Sequence, residues 1–256
     1  MSSRLLAIDV GNSVTTLGLF EDSRLLDRWR MASRTAWTED EIWILISQFL
    51  TTSGFAMDSL SFVSIASVVP ELTTAHSNMS ARRLGVRPLV ISASNVKLLR
   101  VDYEPLSSVG ADRLCGAAAA FVMHGGPVVV VDLGTATVFD FVTKDGIYRG
   151  GLITPGIATA VESLHQAAAM LPRVDIVFPS SLIGRTTETA IQSGVLHGTV
   201  AMIDGIVDRI HSEVDGSLRV VATGGFAGLL QERSRVIRHV EPDLVLNGIR
   251  LITENQ

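Results

Sequence analysis

One pattern occurs twice in this chain, and it limits what the chain can fold into. Residues 5–20 read Leu5-Leu6-Ala7-Ile8-Asp9-Val10-Gly11-Asn12-Ser13-Val14-Thr15-Thr16-Leu17-Gly18-Leu19-Phe20. Residues 128–141 echo them as Val128-Val129-Val130-Val131-Asp132-Leu133-Gly134-Thr135-Ala136-Thr137-Val138-Phe139-Asp140-Phe141. In each copy an apolar strand runs into Asp-x-Gly, then small hydroxyl or amide residues, then a second strand. Short valine-rich runs of this kind are what buried strands of an α/β protein look like. Asp9 and Asp132 stand 123 positions apart in a chain of 256, so each half carries one copy.

The surrounding order repeats as well. Residues 4–10, 14–21 and 24–31 read as a three-strand meander, broken at Gly11-Asn12 and at the Glu21-Asp22-Ser23 turn. Thr38 stands three residues before Glu41, the capping-box spacing, ahead of Ile42, Leu45, Ile46, Phe49 and Leu50 at helical period. A strand at 61–67, a helix from Pro70 to about Leu84 and a strand at 88–92 complete the first set, and a small-residue helix follows from Gly110 to His124. Strands are then expected at 127–133, 136–143 and 146–153, with a helix after Pro155-Gly156 and a long one from about Thr186 to Val214. A strand at 218–223, a helix at 226–232, a strand at 235–240 and a helix at 242–253 close the chain. The β-β-β-α-β-α order, twice, predicts a duplicated α/β domain with a cleft between the halves. The boundary is expected as a packed crossing, with domains at 1–110 and 111–256.

The repeated turns carry the chemistry. A lone Asp-x-Gly after a strand is usually only a turn, because Asp bonds its own backbone and Gly accepts positive φ. Two copies at equivalent strand ends, where ligands bind in open α/β sheets, point further. Carboxylates there can hold Mg²⁺ directly or through water, and the metal can neutralise phosphate oxygens. Asn12, Ser13 and Thr15 in one turn, and Thr135 and Thr137 in the other, offer neutral donors to phosphate. Thr223-Gly224-Gly225, between a strand and a helix start, would let backbone approach a nucleoside. In Gly110-Ala111-Asp112-Arg113, Asp112 could accept the proton of an acceptor hydroxyl while Arg113 binds an acidic part of the substrate. Asp112 would also suit a helix start, and Arg113 a surface ion pair.

Composition removes other classes. A net charge of −5 without a basic block argues against nucleic acid as a partner. Cys115 is alone, which excludes an internal disulfide and a multi-cysteine metal site and fits a reducing cytoplasm. Although 47% of residues are hydrophobic, no run of 18 uncharged apolar residues appears, so neither a spanning helix nor a membrane partner is expected. Met1-Ser2-Ser3-Arg4 leads straight into strand-like sequence without signal-peptide features. The six histidines show no ligand spacing, and neither a Gly-x-Ser-x-Gly elbow nor a P-loop is present. Gly194 and Gly198, one turn apart, suit close helix packing.

The tandem Asp-x-Gly turns with a later Thr-Gly-Gly are similar to the superfamily of actin, heat-shock ATPases and sugar kinases. Within it the full set resembles the type III pantothenate kinases. The matching stretches are Asp9 to Ser13, Val109 to Arg113, Asp132 to Thr137, Gly150-Gly151-Leu152-Ile153-Thr154-Pro155-Gly156, Gly184-Arg185-Thr186-Thr187 and Thr223 to Gly225. The resemblance implies duplicated ribonuclease H-like (actin-like ATPase) domains with a central interdomain cleft. It implies ATP-dependent phosphorylation of pantothenate, the first step of coenzyme A synthesis, by a cytoplasmic homodimer that uses Mg²⁺ with ATP and a monovalent cation (K⁺ or NH₄⁺). By position it assigns Asp9, Val10, Gly11, Asn12, Ser13, Val14, Thr15 and Thr16 to the first phosphate loop, and Thr135 to an ATP contact. Asp112 matches the general base, and Tyr103, Gly110, Ala111, Arg113 and Thr187 match acceptor contacts. Asp132 matches the monovalent-cation ligand, while Asp9 would organise Mg²⁺ and Gly224 and Gly225 would lie at the adenosine. The chain departs from the family pattern at Tyr103-Glu104-Pro105-Leu106-Ser107-Ser108 and at 92–98, stretches that flank the acceptor motif. A kinase of the same fold for another small hydroxylated acceptor, and a non-catalytic nucleotide-binding regulator, share these motifs.

Overall fold

The computed structural model describes residues 4–168 and 170–256. Two compact units are present: residues 1–122 with 243–256, and residues 123–242.

In the first unit the meander forms as expected, with β1 (Arg4–Val10), β2 (Val14–Glu21) and β3 (Arg24–Ala32). The chain continues through α1 (Glu39–Thr52), β4 (Leu60–Ser67), α2 (Pro70–Met79), β5 (Leu89–Val90), β6 (Arg100–Val101) and α3 (Ala111–His124), and ends in α7 (Leu244–Glu254). The five-stranded sheet has the order β3-β2-β1-β4-β5, antiparallel between β1, β2 and β3 and parallel from β1 to β4 to β5. Leu6, Ile8, Leu17, Leu19 and Ile65 are buried in one cluster with Ile42, Ile46 and Leu50 of α1 and Leu72 of α2. The capping box at Thr38 and Glu41 is made, so α1 starts where its spacing predicts. The helix expected over 70–84 is α2 continued as a π-helical turn at Ser80–Leu84, closed by Gly85 at φ +69°.

The second unit repeats this plan. Its elements are β7 (Val128–Leu133), β8 (Ala136–Val142), β9 (Ile147–Pro155), α4 (Ile157–Ala167), α5 (Thr187–Ser212), β10 (Arg219–Thr223), α6 (Ala227–Gln231) and β11 (His239–Val240). Read as β9-β8-β7-β10-β11, its strands have the neighbours and directions of β3-β2-β1-β4-β5. The repeat in sequence is therefore a repeat of topology. By length and composition α5 could cross a membrane, yet Leu196, Val200, Ile203 and Val207 join β-strand residues Val129, Val131 and Val220 in the unit's core. Its apolarity is used inside the unit.

Two expectations shift. The compact units divide after residues 122 and 242 rather than at 110/111. α7 packs on β1 and β4, Asp243 pairs with Arg28 at 2.6 Å, and Gly248 lies so close to the Cys115 carbonyl that any Cβ would overlap it. The strand expected at 235–240 shortens to two residues. Backbone donors at Arg235 turn to the Asp204 carboxylate (3.2 Å), and those at Val236 and Ile237 to Ser234 Oγ (3.2 Å each), instead of to a ladder.

Candidate active site

β1 delivers Asp9, half-buried, to its last position but one, opposite Thr16 of β2. Beyond it the Gly11 N–H donates to Val14 O at 3.1 Å and closes the turn. The turn is pinned on two sides. Ser33 N–H donates to Ser13 O at 3.0 Å, and Thr15 Oγ1 shares a 2.9 Å hydrogen bond with Ser33 Oγ. On the other side Val68 N–H donates to Val10 O at 3.1 Å. The buried Thr15 hydroxyl is thus engaged within the protein, while Asn12 and Ser13 stand exposed at the tip.

The start of α3 belongs to the same unit. Gly110 has no side chain to collide with the Asp112 carboxylate, and a Cβ there would also lie 3.3 Å from Val68 Cγ1. The Asp112 carboxylate can therefore fold back over the helix start, where Arg113 N–H donates to it at 2.8 Å. Burial pushes the Asp112 carboxyl above the usual carboxylate range, against the pull of the Arg113 N–H and guanidinium. The Arg113 guanidinium lies 5.7 Å from the centroid of the Tyr103 ring, a cation–π distance. One turn further on, Cys115 is fully buried, and its thiol is raised well above its ordinary value by burial and then by the charges of Asp9 and Asp112. Both carboxylates thus act on one point in the unit.

In the second unit Asp132 holds the equivalent place on β7, and the Gly134 N–H donates to Ala136 O at 3.1 Å. This turn is one residue shorter than the first. Two further segments close on it. Gly156 N–H and Thr159 Oγ1 both donate to Thr135 O, at 3.1 and 2.7 Å, and a Cβ on Gly156 would strike the Gly134 and Thr135 carbonyls. Gly224, at φ +89°, brings the Thr-Gly-Gly turn so near that a Cβ would lie 2.6 Å from Asp132 Oδ1. Gly225 faces open space, and Thr137 Oγ1 is buried without a hydrogen-bond partner.

The expected residues therefore fall into two groups. Asp9 to Thr16, Tyr103 and Gly110 to Arg113 belong to the first unit, and Asp132, Thr135, Thr187, Gly224 and Gly225 to the second. Thr187 is exposed in the first turn of α5, after the N-cap Thr186. Ser33, Val68 and Thr159, which hold the turns, carry no signal in the sequence, because ordinary polar or apolar residues acquire that role only through distant pairing. Among the described residues no group of three His, Cys, Asp or Glu could hold a metal ion alone. A single hard carboxylate beside exposed amide and hydroxyl oxygens fits Mg²⁺ that arrives on nucleotide phosphates, since Mg²⁺ usually takes few protein ligands. The close fit of Gly224 over Asp132 and the open face of Gly225 suit a nucleoside lying against backbone.

Comparison with known proteins gives a family and a fold. A family model described as type III pantothenate kinase matches residues 5–209. A candidate Baf-family transcriptional activator from Campylobacter jejuni has a similar structure, with TM-score 0.60 and 20% identity over 98% of each chain. The ethanolamine utilization protein EutJ from Carboxydothermus hydrogenoformans gives TM-score 0.56 and 16% identity, over 98% of this chain and 90% of that one. Inorganic polyphosphate/ATP-glucomannokinase from Arthrobacter sp. strain KM gives 0.51 and 15%, over 99% of this chain and all of the other. At these identities the likeness is one of fold: two ribonuclease H-like domains of the actin-like ATPase type.

Proposed function

Since this chain belongs to the type III pantothenate kinase family, we propose that it transfers the terminal phosphoryl group of ATP to the hydroxyl of pantothenate. The observation that carries this reading is Asp112, a half-buried carboxylate with raised proton affinity, fixed at a helix start beside Arg113. A base in that state is better matched to neutral pH than an ordinary surface aspartate. Asp112 takes the proton of the acceptor hydroxyl. That oxygen forms its bond to the γ-phosphorus as the bond to the β–γ bridging oxygen breaks, and ADP leaves. Arg113, held against Tyr103, binds the acceptor's carboxylate, with Thr187 as a further acceptor contact.

Residues 9–16 hold phosphate through the Gly11 turn and its exposed Asn12 and Ser13 side chains, and Thr135 contacts ATP. Asp9 would hold Mg²⁺ and Asp132 the monovalent cation, which when bound neutralise charge on the phosphates. Gly224 and Gly225 take the adenosine. Most of the rate in such a reaction comes from positioning and charge neutralisation, with the base adding about 10²–10⁴-fold. A cytoplasmic homodimer fits as well, and exposed apolar side chains such as Leu182 (63%) and Ile183 (76%) support a partner surface.

The test is a coupled ADP-release assay with pantothenate, repeated on Asp112→Asn. Turnover that this change abolishes supports the reading. The altered stretches at 92–98 and 103–108 favour one alternative, a different small alcohol as acceptor. Turnover with another alcohol and none with pantothenate would establish it, and nucleotide binding without any turnover would make the chain a regulator.

A further inference from the structure

Three arginines and two histidines converge on one small pocket of the second unit, away from the Asp132 turn. Arg219 opens β10 opposite Val128, whereas Thr223 ends it opposite Asp132. At about 3.3 Å per residue these ends lie roughly 13 Å apart. The pocket, of about 280 Å³, is lined by Arg219, Arg235, Arg238, His211 and His239, with Asp208 as its acidic residue. In a chain of net charge −5 this is a local surplus of cations. Val207, Leu218 and Val236 give the pocket an apolar floor.

The arginine and histidine side chains differ in what already holds them. Arg235 is paired with Asp208 at 3.1 Å and Asp204 at 3.3 Å, so its charge is largely answered. Arg219 spends one Nη1 contact on the Gly126 carbonyl, at 3.2 Å, which orients its planar head. Arg238 has no ion-pair partner among the described residues. His239 lies against His124 with ring centroids 4.8 Å apart, and His124 faces Glu241 at 3.4 Å. His211 donates from Nε2 to Gly216 O at 3.2 Å. Two guanidiniums with donors to spare, over an apolar floor, match a phosphate group carried on a small apolar body. Guanidinium binds phosphate through paired parallel hydrogen bonds.

We propose that this pocket is a second anion site, which takes a small phosphomonoester with its phosphate on Arg219 and Arg238 and its apolar part on Leu218 and Val236. Its volume stands at the lower end of ligand pockets, which limits the occupant to something little larger than a phosphate and one ring. The proposal does not depend on the identity of the acceptor.

The experiment uses the full chain saturated with Mg²⁺ and a non-hydrolysable ATP analogue, so that the kinase site is filled. Calorimetric titration with phenyl phosphate should show one saturable site per chain. Arg219→Gln and Arg238→Gln should each weaken it at least about tenfold, as expected for loss of a charge-assisted contact. Both side chains belong to exposed residues, so folding is not at stake, and unchanged affinity for the ATP analogue checks this. Inorganic phosphate, the second arm, should bind more weakly than phenyl phosphate. Equal affinity for the two ligands would overturn the role of the apolar floor. No saturable binding, or binding that both substitutions leave unchanged, would overturn the site.

Discussion

His76 offers a quantitative test of the first unit. It lies on the buried face of α2 with Leu72 and Met79, it is 0% exposed, and neither ring nitrogen has a hydrogen-bond partner. Protonation there would bury a charge with no counter-ion, so burial pulls the imidazole down from 6.5 to about 4. In the unfolded chain the same ring titrates near 6.5. Between those values the unfolded state binds the proton and the folded state does not. The contribution is therefore complete above about pH 6.5 and is lost as pH falls through the folded value. At 1.36 kcal/mol per unit the loss amounts to about 3 kcal/mol by pH 4.

His76→Leu removes both nitrogens while keeping an apolar side chain of similar size. The variant should match or exceed the parent at pH 7, because two unpartnered polar atoms leave the core. As pH falls from 6.5 to 4 its advantage should grow by up to about 3 kcal/mol. Urea unfolding followed by tryptophan fluorescence reads this, since Trp29, Trp37 and Trp43 all belong to the first unit. Parallel loss of stability in parent and variant across that pH window would refute the reasoning, as would an NMR titration of His76 near 6.5.

Three further outcomes follow from the same geometry. Asp112→Asn should lower turnover by about 10²–10⁴-fold in the ADP-release assay. Its effect on stability has the opposite sign. A raised carboxyl value means stability that is lost as pH rises through it, so the neutral variant should unfold at pH 7 no more easily than the parent. Gly224→Ala forces a Cβ at φ +89° towards Asp132 Oδ1 and should destabilise the second unit by about 1–3 kcal/mol, with weaker nucleotide binding by calorimetry. Thr38→Ala removes the acceptor of the Glu41 N–H and should cost about 1 kcal/mol, read through Trp43 on α1 itself.

Most of the elements were legible from the sequence, because each depends on near neighbours; β6, at Arg100–Val101, was not among those expected. Alternation and valine runs mark β1, β2 and β7, the Thr38–Glu41 spacing marks the start of α1, and Asp-x-Gly marks each turn. Side-chain direction along a strand and donors at a helix end are set within a few residues. The duplication could be read in the same way, and the five strands β9-β8-β7-β10-β11 follow the order of β3-β2-β1-β4-β5.

What only the tertiary structure decided depends on partners far apart in the chain. That α3 and α7 join the first unit rests on Gly248 against Cys115, more than a hundred positions away, and no local signal records such an approach. The shortening of β11 rests on Asp204, a buried carboxylate that takes the backbone donor at Arg235. Asp112 could be named as a base from its motif, but its raised proton affinity comes from burial, which the fold supplies. The cationic pocket joins α5, β10 and the 235–239 segment, so it exists only once these are packed. Periodicity and spacing determine where chain segments turn and pair, whereas burial and charge environment belong to the assembled unit.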